Sequence, residues 1–309
     1  MGQIIDFGDK ITKDVKQNLK ELDIIRLLPK LRSFRGENIV IFLEKSVIND
    51  GEVLSKVLRE VVILKCMEVR IVLVLDVDEQ MRNFCRETYG VDDIFTDKNV
   101  YNLRDNIDVI DVICKREVMY EVSNILNSFN AMSLCCSGHS ICIVFPDDAV
   151  NNGISVFDKP YRDINSGTEH QTQKIYSFDM LDELLKTNII PVLAPTVYDR
   201  LGKQYLVRSE VFSAYISGYL SSLKYVAIYK DYADIPTNCL YGVSRMIRIL
   251  KAGVFSANSL QLINAGIEAI NKGSQGAHII NANRVSLLEE LCGKRFNGLF
   301  LYDDNLNHL

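Results

Sequence analysis

Residues able to do chemistry gather in this chain where its apolar runs stop. Residues 39–43 end at Glu44-Lys45, 71–75 end at Asp76-Val77-Asp78, and 225–229 end at Lys230-Asp231. Carboxylates beside a lysine can move protons or hold a cation. They suit a bound phosphate badly, because an anion cradle wants glycines whose missing Cβ lets backbone N–H groups approach, and no glycine stands at these three places. Cys135-Cys136 precedes His139, Asp147-Asp148 follows an apolar run, His170 stands in a polar stretch and His278 in an apolar one. Adjacent cysteines without CxxC spacing are poor joint metal ligands. They read as small buried hydrophobes, as do most of the eight cysteines, in a reducing compartment. His278 reads as a core residue and Asp147-Asp148 as a solvated turn, and no metal site is expected. His170, with no acid or thiol partner in view, is given no role.

These residues need a frame. Residues 39–43 are apolar and rich in β-branching, as in a strand buried on both faces. Asn49-Asp50-Gly51 breaks the chain, residues 52–66 carry helical periodicity, and 71–75 repeat the strand pattern. Strand, helix, strand is a right-handed βαβ unit of a parallel sheet. Further strands are expected at 89–95 (short), 140–145, 189–195, 205–207, 225–229, 278–280 and 298–301. Helices are expected at 78–85, 106–113, 117–129, 178–186, 209–223, 260–271 and 284–291. Residues 3–32 are helix-prone, with Pro29 kinking or restarting the helix, and 146–176 form an exposed polar segment or an edge hairpin. The alternation predicts an α/β fold, a three-layer αβα sandwich around a mostly parallel sheet.

The chain has 309 residues and a net charge of −5, with acidic and basic residues well mixed. No basic stripe could neutralise several phosphates, so nucleic acid is not an expected partner. No apolar run reaches the roughly 18 residues of a membrane span, and the N-terminus carries no secretion pattern. The expected location is the cytoplasm.

Three segments carry a resemblance. Leu28-Pro29-Lys30-Leu31-Arg32-Ser33-Phe34-Arg35-Gly36 precedes the first strand, and Ile190-Pro191-Val192-Leu193-Ala194-Pro195 is followed by Gly202. Gly276-Ala277-His278-Ile279-Ile280 is followed by Leu287-Leu288 and Glu290-Leu291. Together, across about residues 20–302, they resemble the amino acid kinase family, most of all acetylglutamate kinase and the kinase-like half of acetylglutamate synthase. The resemblance implies an N-terminal helix (1–32), a lobe for N-acetyl-L-glutamate and dimerisation (33–187), and a lobe for ATP with Mg2+ (188–309). The chain stops where a synthase's acetyltransferase domain begins, so that activity is not expected.

The resemblance also implies site positions, and here the residues depart from the family. Phe42 stands at the catalytic lysine of the first strand, and Glu44-Lys45 at the Gly-Gly loop, which makes Glu44 nucleotide-side and Lys45 a substitute catalytic cation. Asp76, Val77 and Asp78 fall where His-Gly-Gly-Gly cradles the substrate. The substrate arginine falls near Val100, with Arg104 as stand-in, and the Asn-x-x-x-Asp pair becomes Leu206 and Glu210. No lysine lies between Asn258 and Leu262, so Lys251 is the nearest second catalytic lysine; Asp231 matches the nucleotide-side aspartate. His278, Glu290 and Gly298, with the N-terminal helix, resemble an arginine-feedback site of hexameric members.

Each preorganised donor lost from a phosphoryl-transfer site costs about 3 to 4 kcal/mol of transition-state stabilisation. Weak or lost transfer is therefore expected. Three readings stand open: an acetylglutamate kinase with shifted catalytic groups, a non-catalytic protein that binds arginine or a nucleotide and regulates a partner, and a structural subunit of a homodimer or hexamer.

Overall fold

Strand β1 (Asn38–Leu43) is the centre of the molecule, buried along all but its first residue. It pairs in parallel with β2 (Arg70–Leu75) on one side and β8 (Lys224–Tyr229) on the other. The computed structural model of the chain describes residues 24–89, 100–102, 112, 118–138, 179–198, 204–253, 255–293 and 296–305. Expectations for residues 1–23, 90–95, 106–111, 139–145 and 146–176, including His139, Asp147, Asp148 and His170, lie outside the described residues, as does Arg104.

An eight-stranded sheet has the order β4-β5-β2-β1-β8-β10-β11-β9. Its further members are β4 (Ser133–Ser137), β5 (Ile190–Ala194), β9 (Cys239–Gly242), β10 (Ala277–Asn281) and β11 (Leu299–Tyr302). All neighbours run parallel except β10 and β11. The expected α/β sandwich with a mostly parallel sheet is the fold observed. A small second sheet joins β3 (Val100–Asn102), β7 (Gln204–Val207) and β6 (Thr196–Tyr198) in antiparallel order.

Alternation along the central strands divides the core between two faces. Ile39, Ile41 and Leu43 face α3 (Gly51–Cys66), α5 (Tyr120–Ser128), α10 (Leu287–Cys292) and the end of α1 (Ile24–Ser33). Val40 and Phe42 face α6 (Asp179–Leu185), α7 (Ser209–Tyr219) and α9 (Ala257–Asn271). Close approach of α7 and α9 needs small residues. A Cβ on Gly218 would collide with Lys272, and Ser217, Ser222 and Ser274 share buried hydroxyl bonds.

Helix ends follow local chemistry. Asp50 caps α3 by accepting from the N–H groups of Glu52 and Val53 at 3.2 and 3.1 Å. Ser286 caps α10, which starts at Leu287 rather than Arg284 because the cap fixes the first turn. Glu60 in α3 reaches the same helix start, accepting from the Ser286 hydroxyl at 3.0 Å and the Leu288 N–H at 3.1 Å. Its burial pushes the carboxyl above the ordinary glutamate range. Glu60→Ala should cost about 1–3 kcal/mol by orphaning two buried donors, whereas Glu60→Gln keeps an acceptor and should cost less. Equilibrium denaturation of both variants checks the order.

One expectation is corrected. The cysteines are not generally buried: of the five described, Cys66 is exposed, Cys135, Cys136 and Cys239 are half-buried, and only Cys292 is buried. The edge strand at Ser133–Ser137, the strand Cys239–Gly242 and the helix α8 (Val243–Leu250) were not foreseen. Short edge strands rich in Ser and Cys lack the apolar run that marks a central strand.

Candidate functional site

From β1 the chain winds outward through α3 to β2, and from β8 it winds the opposite way to β10. The point between β1 and β8 is therefore a topological switch point, and ligands of such sheets bind beyond the strands' carboxyl ends there. The residues at those ends are Glu44 after β1, Asp76 to Asp78 after β2, and Lys230 to Tyr232 after β8. The structure thus brings together most of the positions singled out in the sequence.

Glu44 is 3% exposed and caps the four-residue helix α2 (Lys45–Ile48). Its Oε2 accepts from the Ser46 N–H at 2.8 Å and from the Ser46 hydroxyl, and its Oε1 accepts from the Tyr232 phenol at 2.6 Å. Ser46 Oγ in turn accepts the Lys230 N–H at 3.0 Å, and the Lys230 ammonium pairs with Asp50 at 2.6 Å. Tyr232 also stacks on Tyr229, with ring centroids 5.6 Å apart.

Asp76 is 8% exposed, and its two oxygens accept from the Lys45 N–H at 3.3 Å and the Asp78 N–H at 3.0 Å. Buried Val77 donates its N–H to Ser209 Oγ at 3.3 Å, and that hydroxyl donates to Asp78 Oδ1 at 3.1 Å. Ser209 opens α7, and Glu210 follows it, 7% exposed and 3.9 Å from the Arg208 guanidinium. Burial, then the charges of Asp78 and Glu44, push the Asp76 carboxyl up to about 8. Burial and Glu210 push Asp78 up to about 7, against Arg208, Ser209 and Arg82. Burial and Asp76 push Glu210 up to about 7. Such groups are protonated acids at mildly acidic pH and crowded anions above neutrality.

The other positions differ in their surroundings. Phe42 lies in the core, 1% exposed. Lys45 is half-buried, and no ion pair among the described residues includes its ammonium. Leu206 pairs through its backbone with Tyr101 and Thr196, which places β7 beside Val100. Asp231 is exposed, as is Lys251, the residue capping the end of α8. Asp234 rather than Asp231 serves the start of α9, accepting from the Ser256 N–H at 2.6 Å and the Ser259 hydroxyl at 2.5 Å. Arg208, Ser209, Tyr232 and Asp234 were missed. The only sequence signal was their place just outside or at the start of an element.

His278, Glu290 and Gly298 do meet. Glu290 Oε1 takes the His278 Nδ1 at 2.9 Å, and Oε2 accepts from the N–H groups of Asn297 and Gly298 at 2.7 and 2.9 Å. Gly298 must be glycine, since a Cβ there would lie 2.7 Å from the Ile279 carbonyl oxygen. Burial lowers the His278 imidazole, and the neutral ring donates from Nδ1 to Glu290; the buried Nε2 has no hydrogen-bond partner among the described residues.

The arrangement can exchange protons and repel phosphate; it offers no cationic cradle. Among the described residues no group of three or more His, Cys, Asp or Glu could hold a metal ion, and no helix is long and apolar enough to cross a membrane.

No family model matches the chain. It is 22% identical over 268 residues to the acetylglutamate kinase of Sulfurihydrogenibium sp. (strain YO3AOP1), covering 84% of this chain and 89% of that one. Its fold superposes with a TM-score of 0.65 and 15% identity on N-acetylglutamate synthase from Neisseria gonorrhoeae, solved with coenzyme A and N-acetyl-glutamate. That match covers 91% of this chain and 63% of the synthase, so the chain spans less than two thirds of that protein. Carbamate kinase from Giardia lamblia bound to AMP-PNP gives a TM-score of 0.57 at 13% identity, covering 87% of this chain and 99% of that one.

Proposed function

Because the chain has the fold of the amino acid kinase family and acetylglutamate kinases among its sequence relatives, we propose that it is a non-catalytic protein of that fold. In this reading it keeps the architecture of a phosphotransferase but binds a small ligand or a partner without turnover. The observation that carries the reading is where the switch-point N–H groups point. Those of Lys45, Ser46 and Asp78 donate to Asp76 and Glu44, and Asp234 serves the start of α9. A polyphosphate would need those donors, and it would meet the buried carboxylates Glu44, Asp76 and Glu210, with Asp78 beside them. The residues present do not fit ATP with Mg2+, and no phosphoryl-transfer step is derived through it.

The relatives' activity, phosphorylation of N-acetyl-L-glutamate by ATP in arginine biosynthesis, is the competing reading. It would place Lys45 or Lys251 on the phosphates, Glu210 among the catalytic groups, and the substrate near Asp76 to Asp78, Leu206 and Arg104. A coupled assay with both substrates decides between the two. No turnover above background is expected, and turnover abolished by Lys45→Met with Lys251→Met would establish a kinase with shifted groups. Thermal shift with ATP–Mg2+, ADP, N-acetyl-L-glutamate and arginine, each alone, then tests binding. Arginine is included because the resemblance implies an arginine site at His278, Glu290 and Gly298. Stabilisation by nucleotide and N-acetyl-L-glutamate together would overturn the non-catalytic reading. The setting that goes with it is a cytoplasmic homodimer or hexamer, which light scattering checks.

A further inference from the structure

The switch-point crevice opens where α4 (Asp78–Tyr89) begins, and a second group of polar side chains collects at the other end of the sheet, where β8 starts. His278 stands beside Val226 of β8 and Phe300 of β11 in the strand register, and alternation puts Lys224, the first residue of β8, on the same face as Val226. The Lys224 ammonium sits over the Phe300 ring, 4.5 Å from its centre, and makes no hydrogen bond or ion pair among the described residues. The His278 ring packs on the same Phe300, with centroids 4.4 Å apart, and lies 5.8 Å from Phe296. Its Nδ1 is engaged by Glu290, while Nε2, in a residue only 1% exposed, has no partner among the described residues. Lys224 and Phe296 are half-buried, so the cluster reaches solvent at these two residues. We propose that this cluster is a binding site for a small oxyanion that carries a hydroxyl, with its charge on Lys224 and its O–H donated to His278 Nε2.

Each half of such a ligand answers one unmet group. A half-buried ammonium without a counterion is costly, and an oxyanion supplies the counterion. Lys30 of α1 adds a second positive charge. Burial and Lys30 push the Lys224 ammonium down to about 8 against the pull of Glu290, in line with a cation that has no anion in contact. The neutral His278 ring donates from Nδ1, so its Nε2 is an acceptor, and a buried acceptor left unmet carries its full desolvation cost. A fully ionised anion offers it no donor and would set lone pairs against a lone pair. An ammonium donor would stand beside two lysines, which leaves a hydroxyl. Glu290 already accepts three donors, so a guanidinium would find cations here in place of a free carboxylate. The ligand class therefore differs from the arginine that the resemblance implies. Phe296 and Phe300, stacked 4.4 Å apart, form an apolar wall that strengthens both polar contacts.

Two ligand pairs separate the charge from the donor. Hydrogen phosphate keeps an O–H at about pH 7 and sulfate has none; glycolate carries a hydroxyl beside its carboxylate and acetate does not. Calorimetric titration of the full chain at constant ionic strength should show hydrogen phosphate or glycolate binding about fivefold or more tighter than its hydroxyl-free counterpart. The pair that responds identifies phosphate or carboxylate as the anion, and a response of both means that either serves. Lys224→Met should weaken that binding about tenfold or more, whereas Lys186→Met, at an exposed lysine after α6, should leave it unchanged. The hydroxyl-bearing ligand should also move the His278 Nε2 resonance in a long-range nitrogen–proton NMR spectrum, and its counterpart should not. Equal binding within both pairs, no binding of any of the four, tighter binding of arginine, or undiminished binding by Lys224→Met overturns the site. If Lys224→Met fails to fold, the Nε2 resonance of the native protein decides: a shift with the hydroxyl-bearing ligand alone supports the site, and no shift, or the same shift with both, overturns it. The cluster lies apart from the switch point, so the outcome is independent of whether any turnover is found.

Discussion

Glu290→Ala should be among the most destabilising single substitutions in this protein, at roughly 3–5 kcal/mol. One side chain there satisfies three donors, two of them buried: the His278 ring at 2.9 Å, the Gly298 N–H at 2.9 Å and the half-buried Asn297 N–H at 2.7 Å. Glu290 is 1% exposed and His278 is 1% exposed, so no water replaces what is lost. The knot also sets the order of the sheet's end, because it joins α10, β10 and the residues entering β11, the strand that turns antiparallel. Glu290→Gln keeps the shape but faces an N–H or a ring nitrogen with its own NH2, and about 1–2 kcal/mol is expected. Urea denaturation of the two variants measures the difference. A loss below 1 kcal/mol for alanine would mean the chain satisfies these donors another way.

The same residue sets the acid limit of stability. Burial works to raise the Glu290 carboxyl, but the His278 contact and the two N–H groups outweigh it and leave it below its ordinary value of 4.5. A depressed carboxyl contributes stability that is present above its unfolded value and lost as pH falls through the folded one. Asp76, Asp78 and Glu210 have the opposite sign. Raised to about 8, 7 and 7, they contribute stability below their unfolded values near 4 that is lost as pH rises through the folded ones. The two trends meet on the acid side of neutrality, so thermal unfolding should be most resistant at about pH 5. Glu290→Gln should blunt the acid limb and Glu210→Gln the alkaline one.

The centre of the molecule is legible in the sequence, and its edges are less so. The apolar runs after Glu37 and Arg70 and those before Lys230 and Ala282 became β1, β2, β8 and β10, because a strand covered on both faces has to be apolar throughout. Ser133–Ser137 carries no such signature, being half-buried at an edge. The candidate site divided in the same way. Glu44-Lys45 and Asp76-Val77-Asp78 were visible as charges where glycines were wanted, since absence of glycine is a property of the string. What those charges bond to was not visible. The Val77–Ser209 contact spans 132 residues and the Glu44–Tyr232 contact 188, and no local periodicity reports either. Glu44 read alone is an anion set against phosphate; in the fold it is a helix cap tied to a phenol.

Phe42→Lys, which would place a lysine where the resemblance implies one, should abolish cooperative folding. Phe42 is 1% exposed in the centre of the sheet, opposite Val74 and Ala227, and packs in the core beneath α7 and α9. Losing the ring costs about 3–5 kcal/mol in transfer and cavity terms. An unpaired ammonium buried there adds several more, unless it gives up its proton. Total stability of a typical domain is about 5–15 kcal/mol, so the sum consumes most of it. Phe42→Leu, of similar character and smaller volume, should cost about 1–2 kcal/mol and leave a sharp transition. Circular dichroism during heating separates the outcomes. A folded Phe42→Lys protein would mean that the core yields at that point, and that the distance between this site and a phosphate-binding one is a single side chain. The expected loss means something else: the packing around Phe42 leaves no room for a lysine, so more than one side chain separates this site from a phosphate-binding one.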